Sequence, residues 1–233
     1  MELVAELNNS GAVLLASDDV DSALQCFRDA LELLRLMYED RKELPRIPTP
    51  EKSGMIPCPS SPQAAQQDRT DAWAASKTVY EHSHFVYGQA LAFDPAVTLT
   101  TENWDECLPI CLAIIKFNLG LASQMKSKDL GERALVQSLR WYDTCLGHLQ
   151  ENVQASMPLH MNIVLAALNN MAIVSYDLCK FEKVHQIFQN VLEILSSYSC
   201  AEETPQDFQE EDMQGLLLNI ILLHSSEAIA PAA

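Results

Sequence analysis

The chain has 233 residues, 48% of them hydrophobic and 20% charged, with only 7 glycines. That balance excludes a disordered polypeptide and disfavours a fold of many strands and tight turns, so composition leans helical. A formal net charge of -17 sets the chain against phosphate backbones and anionic lipid; no nucleic acid and no membrane is expected as a partner, and a basic protein segment is favoured on encounter, although the same acid also serves solubility alone.

The 7 cysteines are scattered, most among apolar neighbours at helical spacing, as expected of reduced thiols in a reducing compartment. The opening residues, Met1-Glu2-Leu3-Val4-Ala5-Glu6, carry no basic region ahead of their apolar side chains. No apolar run approaches the ~20 residues of a membrane span; the greasiest, residues 216–223, is far shorter. The expected location is intracellular, cytoplasmic or nuclear.

In chain order, residues 1–43 form a first helical hairpin. Leu7-Asn8-Asn9-Ser10-Gly11-Ala12-Val13 opens it, and Leu168-Asn169-Asn170-Met171-Ala172-Ile173-Val174 repeats that opening far downstream. Ala23, Phe27 and Ala30 stand at the same offsets from Gly11 as Val184, Phe188 and Val191 from Ala172. Gly11 and Ala172 are read as small residues that allow close approach of a neighbouring backbone. Asp18 or Asp19 can cap the second helix, whose Ala23, Phe27, Ala30 and Leu34 fall on one stripe. Such pairs cannot bury their apolar faces alone and must stack.

Residues 44–77 are rich in proline and serine and read as a flexible insertion, with Thr49-Pro50 and Ser61-Pro62 as conceivable kinase sites. Residues 78–102 differ again: Val79, Tyr80, Phe85, Val86, Tyr87 and Phe93 crowd together without helical period, which predicts an extended segment. Residues 103–199 hold the second and third hairpins. Asn103 and Glu106 have the spacing of a capping box, while Pro109 argues for an irregular first turn. In the second hairpin the offsets from Gly120 to Ser138, Tyr142 and Cys145 are longer than those from Gly11, so the turn carries an insertion, marked by Gly131. Residues 200–233 supply an acidic loop and a helix that covers the end of the stack.

The small residue, the later alanine, the aromatic and the second alanine resemble the tetratricopeptide repeat, a helix-turn-helix unit of about 34 residues. The early tryptophan and closing proline of that motif are missing here. The chain is similar to the divergent tetratricopeptide-like proteins common in some unicellular algae. The resemblance implies an all-α fold, a TPR-like superhelix of stacked hairpins, and little else.

A search for chemistry finds no phosphate loop, no nucleophile elbow and no His-Glu-x-x-His pair, so neither catalytic residues nor a cofactor is expected. Cys107 and Cys111 are four apart with no histidine at zinc spacing and read as core; His82 and His84 share a strand face but are two ligands short of a structural site. The sharper pattern is asparagine. Asn9, Asn118 and Asn170 each stand two residues before the small residue of a first helix, and Asn219 holds the same slot in the last helix. The resemblance places that slot on a concave groove, where a carboxamide offers one donor face and one acceptor to a peptide unit. Lys116 lies beside it, though Ala5 and Ala166 in the matching slots make a basic carboxylate clamp a poor fit.

Two readings of the asparagines stay open: groove ligands for an extended backbone, or ties between neighbouring repeats. Residues 78–99 are themselves long enough, at ~3.3 Å per residue, to cross the groove and be gripped there. The expected function is a monomeric protein-interaction module binding an extended or basic protein segment; the alternative is a structural subunit of a larger assembly with the groove plugged by residues 78–99.

Overall fold

The computed structural model describes residues 2–43, 84–93, 104–150, 158–199 and 210–225. Among them are eight helices and no strand: α1 (Glu2–Ala16), α2 (Val20–Glu43), α3 (Trp104–Met125), α4 (Ser127–Leu130), α5 (Glu132–Gln150), α6 (Pro158–Asp177), α7 (Phe181–Ser199) and α8 (Glu210–Ser225). The fold is all-α. Thr49, Ser61, His82, Asn103 and the insertion 44–77 lie outside the described residues, as do the outer parts of the extended segment and residues 200–209.

The helices pack as three pairs, α1 with α2, α3 with α5, and α6 with α7, and α8 rests on α6 and α7. Neighbouring pairs meet through α2 with α3 and α5 with α6, while α1, α3, α6 and α8 touch in succession. Ala23, Phe27, Ala30 and Leu34 are all fully buried on one stripe of α2. Val184, Phe188 and Val191 form the matching buried stripe on α7.

The turns repeat as closely as the helices. Asp18 and Cys179, which occupy one slot of two repeats, both adopt the left-handed conformation, with φ of 65° and 55°. The Asp18 amide donates to the Leu15 carbonyl and the Asp19 amide to Leu14; Cys179 and Lys180 bond Tyr176 and Ser175 in the same way. This is the Schellman closure, which satisfies carbonyls orphaned at a helix end. Asp19 then caps α2, its Oδ1 accepting the Ser22 amide at 3.2 Å. In the second pair the turn is opened by the short helix α4, and Gly131 leaves it at φ 60° with ψ -143°, a combination that, unlike the left-handed turn of Asp18 and Cys179, requires glycine.

Three expectations are corrected. Gly11 does not admit a neighbouring backbone: a Cβ there would stand 2.6 Å from the Phe27 ring, and one on Gly120 would stand 2.6 Å from Tyr142. The small residue makes room for the aromatic of its own second helix. Pro109 does not interrupt the first turn of α3 but lies inside the helix, at the cost of the hydrogen bond its nitrogen cannot donate. Residues Cys107–Met125 of α3, interrupted only by Lys116 among charged residues, are long and apolar enough to cross a membrane by length and composition. The reason is burial: α3 packs against α1, α2, α5 and α6, so almost every face of it must be apolar.

Candidate functional site

Residues 84–93 run across the faces of α1, α3, α6 and α8 and are held there by asparagine side chains. The Phe93 amide donates to Asn9 Oδ1 at 2.7 Å, and Asn9 Nδ2 returns a bond to the Phe93 carbonyl at 2.9 Å. Asn118 treats Leu91 identically, at 2.7 and 2.8 Å. Asn170 grips Tyr87 at 2.9 and 3.0 Å, and Asn219 grips Phe85 at 2.8 and 2.6 Å. Each carboxamide thus closes a ring with both polar groups of one residue. In an extended chain the N–H and C=O of a residue point to the same side, alternating along the strand. Gripped residues at 85, 87, 91 and 93 therefore mark extended backbone presenting one edge to the helices.

The step from Tyr87 to Leu91 is four residues where the others are two. The long step falls at Gly88 and Gln89, between the α3 and α6 rungs, and the chain bends at Gln89 within it.

Two further asparagines, Asn8 and Asn169, complete the arrangement. Asn8 Nδ2 donates to the Leu91 carbonyl at 2.9 Å while its Oδ1 accepts from Asn118 at 2.9 Å. Asn169 Nδ2 donates to the Phe85 carbonyl at 3.0 Å while its Oδ1 accepts from Asn219 at 2.8 Å. Two equivalent clamps result: Asn8, Asn9 and Asn118 on residues 91 and 93, and Asn169, Asn170 and Asn219 on residues 85 and 87. Sequence reasoning named the second asparagine of each pair and passed over the first, although the duplicated Leu-Asn-Asn was in view. The asparagines serve as ties between helices and as ligands of an extended backbone at once.

Burial fixes these groups further. Asn8, Asn118, Asn169, Asn170 and Asn219 are all buried to 0% exposure, so each amide must find protein partners. Asn170 Nδ2 also donates to the Tyr142 hydroxyl at 3.2 Å, and that hydroxyl donates to Gln124 Oε1 at 2.9 Å. Burial pushes the Tyr142 phenol well above its ordinary range, so it stays a neutral donor.

Lys116 is placed differently from its expected role beside Asn118. Its Nζ lies 2.5 Å from His148 Nε2 of α5, and burial holds its ammonium below the ordinary lysine range. Cys111 is buried in α3 with its thiol pushed up to about 12, first by burial and then by Cys107. His84 meets the Tyr176 ring edge-on at 5.2 Å.

The asparagine bonds of the site go to the peptide groups of residues 85, 87, 91 and 93, while Phe85 and Tyr87 also bury their side chains. Comparison with protein-family models, curated proteins and solved structures finds no match to this chain.

Proposed function

We propose that the chain is a protein-interaction module, a TPR-like stack of helical hairpins whose asparagine-lined groove receives extended polypeptide, with residues 84–93 as its resident ligand. The observation that carries this reading is the two-point bonding of Asn9, Asn118, Asn170 and Asn219 to the backbone of residues 93, 91, 87 and 85. A receptor built on peptide N–H and C=O groups draws affinity from main-chain bonds and register from alternate side chains. No reacting group is needed for such a role, and the reading assigns none.

The test replaces residues 84–93 by a Gly/Ser linker and adds a labelled decapeptide of their sequence. Anisotropy should report binding that is lost when Asn9, Asn118 and Asn170 are together changed to alanine. If the linker variant does not fold alone, helix recovery on refolding with the peptide is the readout. A folded stack that ignores the peptide, or refolding unchanged by it, would sink the proposal.

A second reading is favoured by one observation. Leu217, Leu218, Ile221 and Leu222 form an exposed apolar stripe on α8, with Ile221 63% exposed, and surfaces of that kind mark assembly sites. Here the chain is a structural subunit whose groove stays plugged. Light scattering distinguishes the two: a monomer insensitive to concentration speaks against self-assembly through α8.

A further inference from the structure

The resident segment is not held evenly. Phe85 and Tyr87 are buried, their rings meeting edge to face at 4.8 Å. The Phe85 ring fills the space beside Gly215, where a Cβ would lie 2.3 Å from it. Hydrogen bonds from Asn169, Asn170 and Asn219 to these two residues are likewise buried. Leu91 and Phe93 receive the same pattern from Asn8, Asn9 and Asn118, yet these bonds are only part-buried. Their side chains are half-buried, and Ala92 between them is exposed. The recognition chemistry is the same at both ends and the burial is not. Leu91 and Phe93 pack against the core without being buried in it, and segments with fewer buried apolar contacts and water-accessible hydrogen bonds open first.

Building on the backbone-receptor reading, we propose that residues 91–93 are an exchangeable occupant, while residues 85–87 stay clamped. The half-groove of Asn8, Asn9 and Asn118 then takes a partner protein's extended stretch of the form apolar-x-apolar, of the Leu-x-Phe kind. The chemistry of the rungs defines that stretch further. Both apolar positions must carry an N–H, because Asn118 and Asn9 each accept one, so proline is excluded from both. The middle residue takes the outward place of Ala92 and is unrestricted. Basic flanking residues speed encounter with a chain of net charge -17. The resident end acts as a competitor: if it vacates the clamp in about one molecule in 100, the partner's apparent affinity is about 100-fold below its intrinsic value.

Two measurements on the full chain test this. Amide exchange should be at least about tenfold faster at Leu91 and Phe93 than at Phe85 and Tyr87. A labelled acetyl-Gln-Ala-Leu-Ala-Phe-amide peptide should bind the double variant Leu91→Ser, Phe93→Ser about tenfold or more tightly than it binds the original chain. Adding Asn9→Ala and Asn118→Ala should abolish that binding, as should proline in place of the peptide's phenylalanine. Equal protection of all four amides, or no gain in affinity on weakening the resident end, would overturn the proposal. Equal protection together with decapeptide uptake by the linker variant would remove this inference and leave the backbone-receptor reading standing. A folded linker variant that takes up no peptide would remove both.

Discussion

The carboxamide is the unit on which the site depends, and its chemistry makes a sharp prediction at Asn170. Replacing it by aspartate keeps the shape but removes the donors to the Tyr87 carbonyl and the Tyr142 hydroxyl, and turns a buried negative charge toward a carbonyl oxygen. Asn170→Asp should cost ~3 kcal/mol or more at neutral pH, beyond the ~1–3 kcal/mol expected for Asn170→Ala. The aspartate's folded pKa would be raised, so its penalty is full above that pKa and fades as pH falls through it. Urea titrations of both variants across the acidic range check this; an aspartate no worse than alanine would mean that the bonds to Tyr87 contribute little. A second prediction concerns Cys179, held at φ 55° where its counterpart is Asp18. A left-handed conformation costs a residue with a Cβ ~1–2 kcal/mol, so Cys179→Gly should stabilise the fold by ~1 kcal/mol, a rise of ~2–4 °C in Tm. A fall in Tm on calorimetry would contradict it.

At the scale of elements, the extended segment joins the last helix to the rest. Phe85 sits against Gly215 of α8, and Asn219 of α8 binds the Phe85 backbone. Phe85→Ala should therefore loosen α8 more than any other helix. Amide protection across residues 213–223 should fall toward that of a frayed helix, while α1 and α2, whose clamp is Asn8 and Asn9 with Asn118, keep theirs. Uniform loss over all helices would show instead that α8 and the segment are one cooperative unit with the core. The same elements show what the sequence could and could not disclose. Paired helices were legible because Ala23, Phe27 and Ala30 reappear as Val184, Phe188 and Val191 at identical offsets, and helical period is local information. The extended segment was expected over residues 78–102 from crowded aromatic and β-branched residues, of which 84–93 lie among the described residues. Which residue meets which rung was not legible, because it depends on how α1, α3, α6 and α8 of successive pairs sit side by side, and that is long-range information no local pattern carries. Asn8 and Asn169 were missed for a related reason: adjacent helix positions point 100° apart, and only packing reveals that both carboxamides of each pair reach one strand. The apolar length of α3 was underestimated because a single charged residue, Lys116, masks an otherwise buried helix.

At the scale of the whole molecule, the buried thiols hold their protons more tightly than the unfolded chain does. Cys111 and Cys145 are both buried, and burial pushes each thiol up to about 12. In the unfolded chain thiols ionise near ~8.5. Between about 9 and 12 the unfolded state has therefore released protons that the folded state retains, and stability must fall as pH rises through that window. Below it both states are protonated at these sites and the two thiols contribute no slope. Each can contribute up to ~1.4 kcal/mol per pH unit within the window. Urea unfolding at about pH 8 and about pH 10.5 should show the loss. The double variant Cys111→Ala, Cys145→Ala, less stable at about pH 8 because it leaves small cavities, should lose visibly less on going to the higher pH. Parallel declines in the two proteins would assign the alkaline sensitivity to other groups, such as the buried Tyr142 phenol. The same burial predicts reactivity: iodoacetamide on the native protein should alkylate exposed Cys179 and spare Cys111 and Cys145. Labelling of the buried pair at neutral pH would mean that α3 and α5 separate far more readily than the mutual packing of Gly120 and Tyr142 implies.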